Sequence, residues 1–404
     1  MKRLGVLEWI LIGFAAGIIA GAIVGPPIGV IKPLGTLFVS LLKMLIVPLI
    51  FSVLVVGVSS FTGEKLGRMF GKTFFFYYFT GLCAICIGLI VAVVSGVGTG
   101  MELGELKKMA VKQAPPFKDV LLNIVPTNPI KALAEGKVLQ IIFFAIVFGM
   151  SIGAAGRVAD SVKAFFEGVA EVMYKLVGYV LWYGPIGVFA LMAWTVGTYG
   201  LSVLKPFAYL IILVYISTAI MVFFVYGGLL RAFGIRPYHF FNKIKEAPIF
   251  AFTTCSSSAT LPVTMRVVKA TGVSDATSSF VLPLGSTINM DGTAIYQALA
   301  AVFLANAFNI QLGFGHYVLI GVTALLASIG TAGVPGAGLI MLSMVLAAVG
   351  IPIEGIAIIA GVDRIMDMPR TAVNIVDDAT AAVLIAKTEG EPLPDDLLVE
   401  KAGS

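Results

Sequence analysis

Six polar residues lie on one side of a largely apolar helical segment near the end of the chain. They are Asp363, Asp367, Arg370, Thr371, Asn374 and Asp378. At about 100° per residue they share a stripe about 100° wide, called the polar stripe below. Apolar runs at 351–362 and 379–386 flank it, which predicts that the segment lies inside a membrane. A charge at the bilayer centre costs about 3 kcal/mol, so these side chains are expected to face an internal cavity.

A structural ion pair is the simplest alternative explanation of the polar stripe. One pair would account for Arg370 and a single aspartate. It would leave two further acids unexplained, and also Thr371 and Asn374. We therefore interpret the stripe as a functional site.

The composition of the chain excludes a soluble globular protein. Hydrophobic residues make up 59% of the sequence and charged residues only 12%, whereas about a quarter of the residues in soluble domains are charged. Long apolar segments lie near 7–30, 35–59, 72–97, 130–178, 180–200 and 204–230. The segment 130–178 is too long for one span, and its glycines predict a break within it. The prediction is an all-α polytopic membrane protein.

The net charge of +5 does not indicate a nucleic-acid partner, because the basic residues gather in particular loops. These residues are Lys65, Arg68, Lys72, Arg231, Arg236, Lys243 and Lys245. Loops of this kind are cytoplasmic under the positive-inside rule. We expect a multi-pass protein of the cell membrane, surrounded by the lipid bilayer.

Two polar, turn-prone tips interrupt shorter apolar arms in the second half of the chain. The first tip spans 253–262 and the second tip spans 328–338. A polar segment around Asp291 follows the first tip, and the polar stripe follows the second. A helical hairpin and then a helix with a polar centre thus occur twice. Such duplicated, interrupted segments are typical of inverted repeats with a transport site at the membrane midplane.

Non-helical backbone inside a membrane is tolerated only around a cavity, because unpaired N–H and C=O groups facing lipid are costly. Free N–H groups can then bind an anion, and free carbonyls can bind a cation. Asn289 and Asp291 offer hard oxygen ligands and Gly292 permits an unwound turn, which favours Na⁺ or H⁺ over a transition metal. For the glycine-rich second tip, a loop outside the membrane is the alternative.

In combination, these motifs resemble the glutamate/aspartate transporter family, the excitatory amino acid transporters and their archaeal and bacterial homologues. The resemblance runs along almost the whole chain. The matching motifs are Leu42–Pro48, Val125–Pro129, Pro185–Ala190, the first tip, Asn289–Thr293, Gly330–Gly338 and the series Asp367, Arg370, Thr371, Asn374 and Asp378. Any one of them is weak evidence, and together they are specific.

The resemblance implies a homotrimer whose protomers each have eight spanning helices and two re-entrant helical hairpins. It also implies a scaffold, a transport domain that moves like an elevator, and cytoplasmic termini. The implied parts are scaffold helices 1 and 2 in 1–71, spanning helix 3 in 72–98 as part of the transport domain, an external loop and scaffold helices 4 and 5 in 99–203, the rest of the transport domain in 204–388, and a cytoplasmic tail in 389–404.

The implied function is secondary active symport of an acidic amino acid, L-aspartate or L-glutamate, with cations, Na⁺ in the first place. Arg370 would bind the side-chain carboxylate of the substrate through a two-pronged contact, and Asp367 would pair with the ammonium group. The implied substrate residues are Cys255, Ser256, Ser257, Thr293, Val334, Gly336, Asp367, Arg370, Thr371 and Asn374. Neither a cofactor nor an enzymatic activity is expected.

Three cation sites are implied by the same resemblance. One site combines Asp378 with carbonyls near Gly285 and Asn374. The second site uses carbonyls near Thr287, Ser328, Ile329 and Thr331, and the third site uses Tyr77, Thr80, Asn289 and Asp291.

The sequence departs from the family at positions that bear on these sites. Cys255 and Met368 stand where archaeal and animal members, respectively, carry an arginine. Arg364 is the candidate to supply that positive charge. The alternative is that the chain belongs to a branch of the family with a different ion coupling. Gly81 replaces a serine or threonine beside the third cation site, and Asp377 replaces a small residue. Because proton-coupled bacterial members exist, the driving ion stays open between Na⁺ and H⁺.

Other functions fit the sequence less well. An intramembrane serine enzyme is disfavoured because the only histidines, His239 and His316, lie in loops outside the apolar spans. A channel has no need for Asp, Arg, Thr and Asn on one stripe. Within transport, Arg370 argues against a neutral amino acid, and Asp367 argues against a dicarboxylate without an amine.

Overall fold

The structure, a computed structural model, describes residues 6–59, 67–101, 125–201, 204–329, 331, 333 and 336–399. Over these residues the chain is helical. The helices of the first half are α1 (Val6–Val24), α2 (Lys32–Ser59), α3 (Gly67–Ser95), α4 (Pro129–Glu135), α5 (Val138–Ala155) and α6 (Asp160–Tyr199). Those of the second half are α7 (Leu204–Ile220), α8 (Gly227–Ala232), α9 (Pro237–Ile244), α10 (Glu246–Thr254), α11 (Ser257–Lys269), α12 (Asp275–Ile288), α13 (Asp291–Ala307), α14 (Phe314–Ile329), α15 (Ala337–Ala348), α16 (Gly355–Ala360) and α17 (Asp363–Thr388).

Several of these segments are long and apolar enough to cross a membrane. Within the described residues they are Gly71–Ser95, Phe143–Val180, Leu204–Ala232 and Asp275–Ala307, and the shorter apolar helices are Ile12–Val24, Phe314–Ser328 and Ala337–Ala348. The architecture is that of an all-α membrane protein, as the composition predicted.

Helices α1, α2, α5 and α6 pack against one another and form the first group of helices. The backbones of α1 and α6 approach closely because glycines of α1 face α6. A β-carbon at Gly13 would lie 2.5 Å from the carbonyl oxygen of Pro185, and one at Gly21 would lie 2.5 Å from that of Ala193. Small residues permit this close packing in lipid, where helix association depends on van der Waals contact.

The second group of helices surrounds α13 and α17. Helix α17 contacts α10, α11, α12 and α13, and α13 contacts α3 and α14. Nearly every residue of α13 is buried. Helices α15 and α16 contact both groups, since each also touches α2. This arrangement places the polar stripe of α17 in the interior of the second group.

The apolar segments between residues 130 and 200 are divided differently from the expectation. The expected break occurs at Gly156, whose φ of 61° favours glycine, and a 3₁₀ turn spans Gly156–Ala159. Helix α6 then runs for 40 residues straight through 178–180, so the predicted boundary between two spans there was wrong. Lys175 and Gly178 lower the local hydropathy, but neither residue ends a helix.

The described residues after α17, 389–399, fold back onto the second group of helices. Lys243 Nζ lies 2.7 Å from Asp396 Oδ2. The Glu391 carboxylate accepts hydrogen bonds from the Ser274 N–H at 2.8 Å and from the Ser274 hydroxyl at 2.6 Å. Because Ser274 also caps the start of α12, these contacts tie the end of the chain to that helix.

Glu391→Gln is expected to lower the stability of the protein by about 1 kcal/mol at neutral pH, because the variant loses charge-assisted hydrogen bonds. Burial raises the pKa of Glu391, but hydrogen bonds from Ser274 and Thr277 outweigh it and lower the pKa overall. The stabilisation is therefore present above the unfolded pKa of about 4.3 and is lost as the pH falls through the lower folded pKa. Thermal unfolding of the purified protein at pH 7 and at acidic pH measures this. Glu167→Gln, at an exposed position, is the matched control.

Candidate functional site

Helix α17 begins with a compact group of charges, called the arginine cluster below, made of Asp363, Arg364, Asp367 and Arg370. The Arg370 Nη1 donates to Asp363 Oδ1 at 3.0 Å. Its Nη2 lies 2.8 Å from Asp367 Oδ1, an ion-pair distance without the alignment of a hydrogen bond. The Arg364 Nη1 donates to Asp367 Oδ2 at 3.3 Å. Two arginines thus face two aspartates, and the cluster is electrically balanced.

The Arg370 guanidinium is held from several sides. It is 1% exposed, and its Cζ lies 3.9 Å from the ring centroid of Tyr296 on α13, a cation–π contact. A β-carbon at Gly292 would lie 2.3 Å from the Arg370 carbonyl oxygen. The absence of a side chain at Gly292 therefore lets α13 and α17 approach closely enough for this contact.

The chain is unwound between α12 and α13, as the Asn289–Thr293 motif predicted. Asn289 and Met290 have φ angles of −124° and −130°, which are not helical. Asn374 of α17 holds this turn, since its Oδ1 accepts from the Gly292 N–H at 2.8 Å and its Nδ2 lies 3.0 Å from Met290 Sδ. Thr371 donates to the Asp367 carbonyl at 2.9 Å, so its hydroxyl faces the same region.

The first tip is a tight reversal between α10 and α11, which pack against each other. Cys255 adopts a left-handed backbone with φ of 52°. Ser256 caps α11, because its Oγ accepts from the Ala259 N–H at 3.2 Å. Cys255, Ser256 and Ser257 are all buried. A buried thiol therefore occupies the turn of the first tip.

The two tips contact each other and the arginine cluster. The Gly333 carbonyl accepts from the Ser256 hydroxyl at 2.7 Å and from the Ser258 N–H at 3.1 Å. The Gly336 N–H donates to Asp367 Oδ2 at 3.1 Å. The described residues of the second tip are thus buried against the first tip and α17, which is the position expected of a hairpin tip at the site.

A second group of charges, called the carboxylate cluster below, consists of Asp291, Asp377 and Asp378. It lies about two helical turns further along α17 than Arg370. The Asn289 Nδ2 donates to Asp377 Oδ2 at 2.5 Å and to Asp378 Oδ1 at 3.2 Å. The Tyr226 hydroxyl donates to Asp291 Oδ2 at 3.0 Å. All these carboxylates are buried, so the cluster concentrates negative charge inside the protein.

Gly285 brings two polar groups of this region together. The Tyr77 hydroxyl donates to the Val281 carbonyl at 3.0 Å. A β-carbon at Gly285 would lie 2.2 Å from Asp378 Oδ1 and 2.5 Å from the Tyr77 hydroxyl. Any side chain at Gly285 would therefore displace one of these oxygens.

The structure brings most of the predicted residues together around these two clusters. The arginine cluster contains the predicted residues Asp367 and Arg370, and beside it lie Gly336, Thr371 and Asn374. Ser256 contacts the second tip, and Thr293 lies beside Gly338.

The carboxylate cluster contains the predicted residues Asp291 and Asp378, and beside it lie Tyr77, Thr80, Asn289 and Gly285. Ser328 lines a small cavity together with Tyr77 and Asn289. Thr331 donates to the Ala327 carbonyl at 2.6 Å. Val334 and the side chains of Thr287 and Ile329 lie outside the described residues.

Sequence reasoning missed two tyrosines and underrated one acid. Tyr226 and Tyr296 reach the clusters across helix–helix contacts that helical spacing cannot reveal. Asp377 was noted only as a departure from the family. At about 100° per residue it lies only about 20° beyond the edge of the polar stripe, so the spacing could have identified it.

Comparison with known proteins finds similar sequences over most of the chain. The pattern of the sodium:dicarboxylate symporter family matches residues 6–388. The chain is 38% identical to a proton/sodium-glutamate symport protein of Geobacillus stearothermophilus, over 97% of this chain and 96% of that protein. It is 36% identical to a C4-dicarboxylate transport protein of Bacillus subtilis, over 93% and 92%. It is 35% identical to a proton/glutamate-aspartate symporter of Escherichia coli, over 90% and 86%.

Proposed function

The chain belongs to the sodium:dicarboxylate symporter family, and we propose that it carries L-aspartate or L-glutamate into the cell together with cations. As a member of a symporter family it is a multi-pass membrane transporter and not an enzyme. The relatives named as glutamate and glutamate-aspartate symporters cover nearly the whole chain, which supports this substrate class.

The observation that carries the proposal is the buried arginine cluster contacted by the second tip. An acidic amino acid has two carboxylates and one ammonium group, and the cluster offers matching charges. The Arg370 guanidinium, now shared between Asp363 and Asp367, would turn one fork towards the side-chain carboxylate. Asp367 would take the ammonium group, and Gly336 would close the second tip over it.

Alternating access is proposed to move the second group of helices against the first. The first group is the scaffold (1–71 and 99–203), and the second group is the transport domain (72–98 and 204–388). The packing supports this division, because both clusters lie in the second group and mainly α15 and α16 bridge to the first. Eight spanning helices, two re-entrant hairpins, a homotrimer and cytoplasmic termini complete the proposal.

The carboxylate cluster is proposed to bind the driving cations. The substrate carries a net negative charge, and moving it into a negative-inside cell costs about 2.3 kcal/mol per charge per 100 mV. At least two monovalent cations per substrate are needed to make the inward current favourable. Na⁺ is the first candidate, since carboxylate and hydroxyl oxygens meet there. H⁺ is the alternative, which the names of the bacterial relatives also support.

A C4-dicarboxylate is the second candidate substrate. Arg364 and Arg370 both face Asp367, so each guanidinium could take one carboxylate of an amine-free substrate. A relative in Bacillus subtilis is named as a C4-dicarboxylate transport protein. Asp367 favours the amino acid, because an amine-free dicarboxylate has no ammonium group to pair with the Asp367 carboxylate. Its two carboxylates would instead repel Asp367.

Uptake of labelled substrate into proteoliposomes tests the proposal. Labelled L-aspartate, L-glutamate and succinate are compared under an imposed Na⁺ gradient, an imposed H⁺ gradient, both, or neither. We expect concentrative uptake of an acidic amino acid that excess succinate does not suppress. Uptake of succinate alone would overturn the substrate assignment in favour of the second candidate.

Asp378→Asn is expected to raise the Na⁺ concentration needed for L-aspartate binding about tenfold or more. The change removes a charge from a buried cation ligand while keeping its shape. Binding of L-aspartate at increasing Na⁺, with choline as the replacement ion, measures the effect. Asp275→Asn, at an exposed position, is the control. An unchanged Na⁺ midpoint in Asp378→Asn would exclude Asp378 as a ligand.

A further inference from the structure

The carboxylate cluster has one acid more than the implied cation sites use. Asp291 and Asp378 belong to implied sites, whereas Asp377 belongs to none. In the part of the chain that the structure describes, the buried ion pairs of α17 all lie in the arginine cluster, and no lysine or arginine pairs with these three acids. A buried charge without a partner is strongly unfavourable, so the cluster calls for cations from outside the protein.

Asp377 is the least satisfied of these three residues. It is completely buried. Its Oδ2 accepts from Asn289 Nδ2 at 2.5 Å and from Thr80 Oγ1 at 3.3 Å. Its Oδ1 is equally buried and has no hydrogen-bond partner. Leaving a charged acceptor unsatisfied costs more than the about 1–3 kcal/mol of a neutral one, so this oxygen points to a bound ligand.

The Asp377 carboxylate shares this buried cluster with the carboxylate of Asp291, and the negative charges of the two groups act on each other. Two negative groups in contact repel each other unless a positive charge lies between them. Donors surround the pair only in part, because Tyr226 donates to Asp291 and Thr80 and Asn289 donate to Asp377. A positive charge is still missing beside these carboxylates, and a bound cation would supply it.

Gly81 of α3 lies beside Asp291 and supplies no side-chain oxygen. A β-carbon at Gly81 would lie 3.6 Å from Asp291 Oδ1 and 2.8 Å from the flexible end of Leu325. A hydroxyl at this position would therefore reach Asp291, but glycine supplies none. Asp377 of α17 supplies carboxylate oxygens to the same cluster.

We propose that Asp377 is a cation ligand, and that one Na⁺ lies between the carboxylates of Asp377 and Asp291. The Thr80 hydroxyl adds a further oxygen ligand, and the Asn289 amide, which donates to Asp377, holds that carboxylate in place. The inference rests on the proposed cation symport, which it extends by a residue specific to this chain. Two carboxylates instead of one give this site a higher affinity for Na⁺ than Asp291 alone would provide.

The test is a Na⁺ titration of the purified full chain without any substrate, read as the thermal unfolding temperature. Choline replaces Na⁺ at constant ionic strength. The wild type is expected to gain stability as Na⁺ binds. In Asp377→Asn the Na⁺ midpoint is expected to rise at least tenfold, while Asp395→Asn, at an exposed position, leaves it unchanged. A midpoint within twofold of the wild type in Asp377→Asn would overturn the proposal.

A rescue experiment separates a ligand from a structural residue. Adding Gly81→Ser to Asp377→Asn places a hydroxyl of α3 near Asp291. This hydroxyl should recover part of the lost Na⁺ affinity. No recovery, with a wild-type fold, would contradict a shared ion between these positions. A bridging proton instead of Na⁺ would show as stabilisation by acid that is independent of Na⁺, and it would also overturn the proposal.

Thr80→Val provides the test if Asp377→Asn does not fold. This change removes one oxygen, keeps every charge and is nearly isosteric. It should raise the Na⁺ midpoint, and an unchanged midpoint would contradict the site. Because the titration contains no substrate, its outcome is independent of whether L-aspartate is transported.

Discussion

Arg370→Cys is expected to abolish binding of L-aspartate and L-glutamate and to allow neutral amino acids such as L-serine to bind. Arg370 is buried and is the side chain best placed to hold the second carboxylate of the substrate. Without it, that carboxylate stays unpaired in a low-dielectric site, a loss of about 3–5 kcal/mol. Binding and uptake of labelled L-aspartate and L-serine by the purified variant measure both effects.

The contact with Asp363 calls for a second variant. Arg370→Cys also leaves Asp363 without its ion-pair partner at 3.0 Å, which destabilises the fold. The double change Arg370→Cys with Asp363→Asn restores the charge balance and should show the same switch in specificity. Arg231→Cys, at an exposed arginine, is the control for the cysteine itself. Unchanged affinity for L-aspartate in the folded double variant would refute the role of Arg370.

Asp367→Asn is expected to weaken binding of every amino-acid substrate, acidic or neutral. Its carboxylate accepts from the Gly336 N–H and pairs with Arg364 and Arg370, so it sits where an ammonium group would meet the second tip. Breaking a buried charge pair of this kind costs about 2–5 kcal/mol, or about 30-fold to about 4,000-fold in affinity. Equilibrium binding of L-aspartate, and of L-serine in the Arg370→Cys background, measures the change.

Asp275→Asn, in which only an exposed ion pair with Lys269 is lost, is the matched control. A loss confined to acidic substrates would contradict the assignment of Asp367 to the ammonium group. Asp367 would then serve to orient Arg370 or Arg364.

The parts of the site that could be predicted from sequence are those governed by helical spacing within one helix. The polar stripe placed Asp363, Asp367, Arg370 and Asn374 on one side of a helix, and the structure has all of them buried on α17. The tips were recognisable because polar, glycine-rich backbone inside apolar sequence must surround a cavity.

The parts that could not be predicted depend on contacts between helices. Tyr226 reaches Asp291 from a segment 65 residues earlier, and Tyr296 stacks on Arg370 from a different helix. Hydropathy also divided α6 wrongly, since it reports the average polarity of a window and not the continuity of hydrogen bonds. The partner of Arg370 at Asp363, two turns away on the same helix, follows from spacing, but the sharing of Arg370 between two acids does not.

In the proposed mechanism, cations drive an acidic amino acid uphill through this site. The most direct measurement is accumulation of labelled L-aspartate in proteoliposomes, with an inward Na⁺ gradient and a membrane potential clamped negative inside. We predict an internal concentration above the external one, an inward current during uptake, and loss of the accumulated substrate when the gradient is collapsed. Equilibration without accumulation, under both Na⁺ and H⁺ gradients, would contradict the claim.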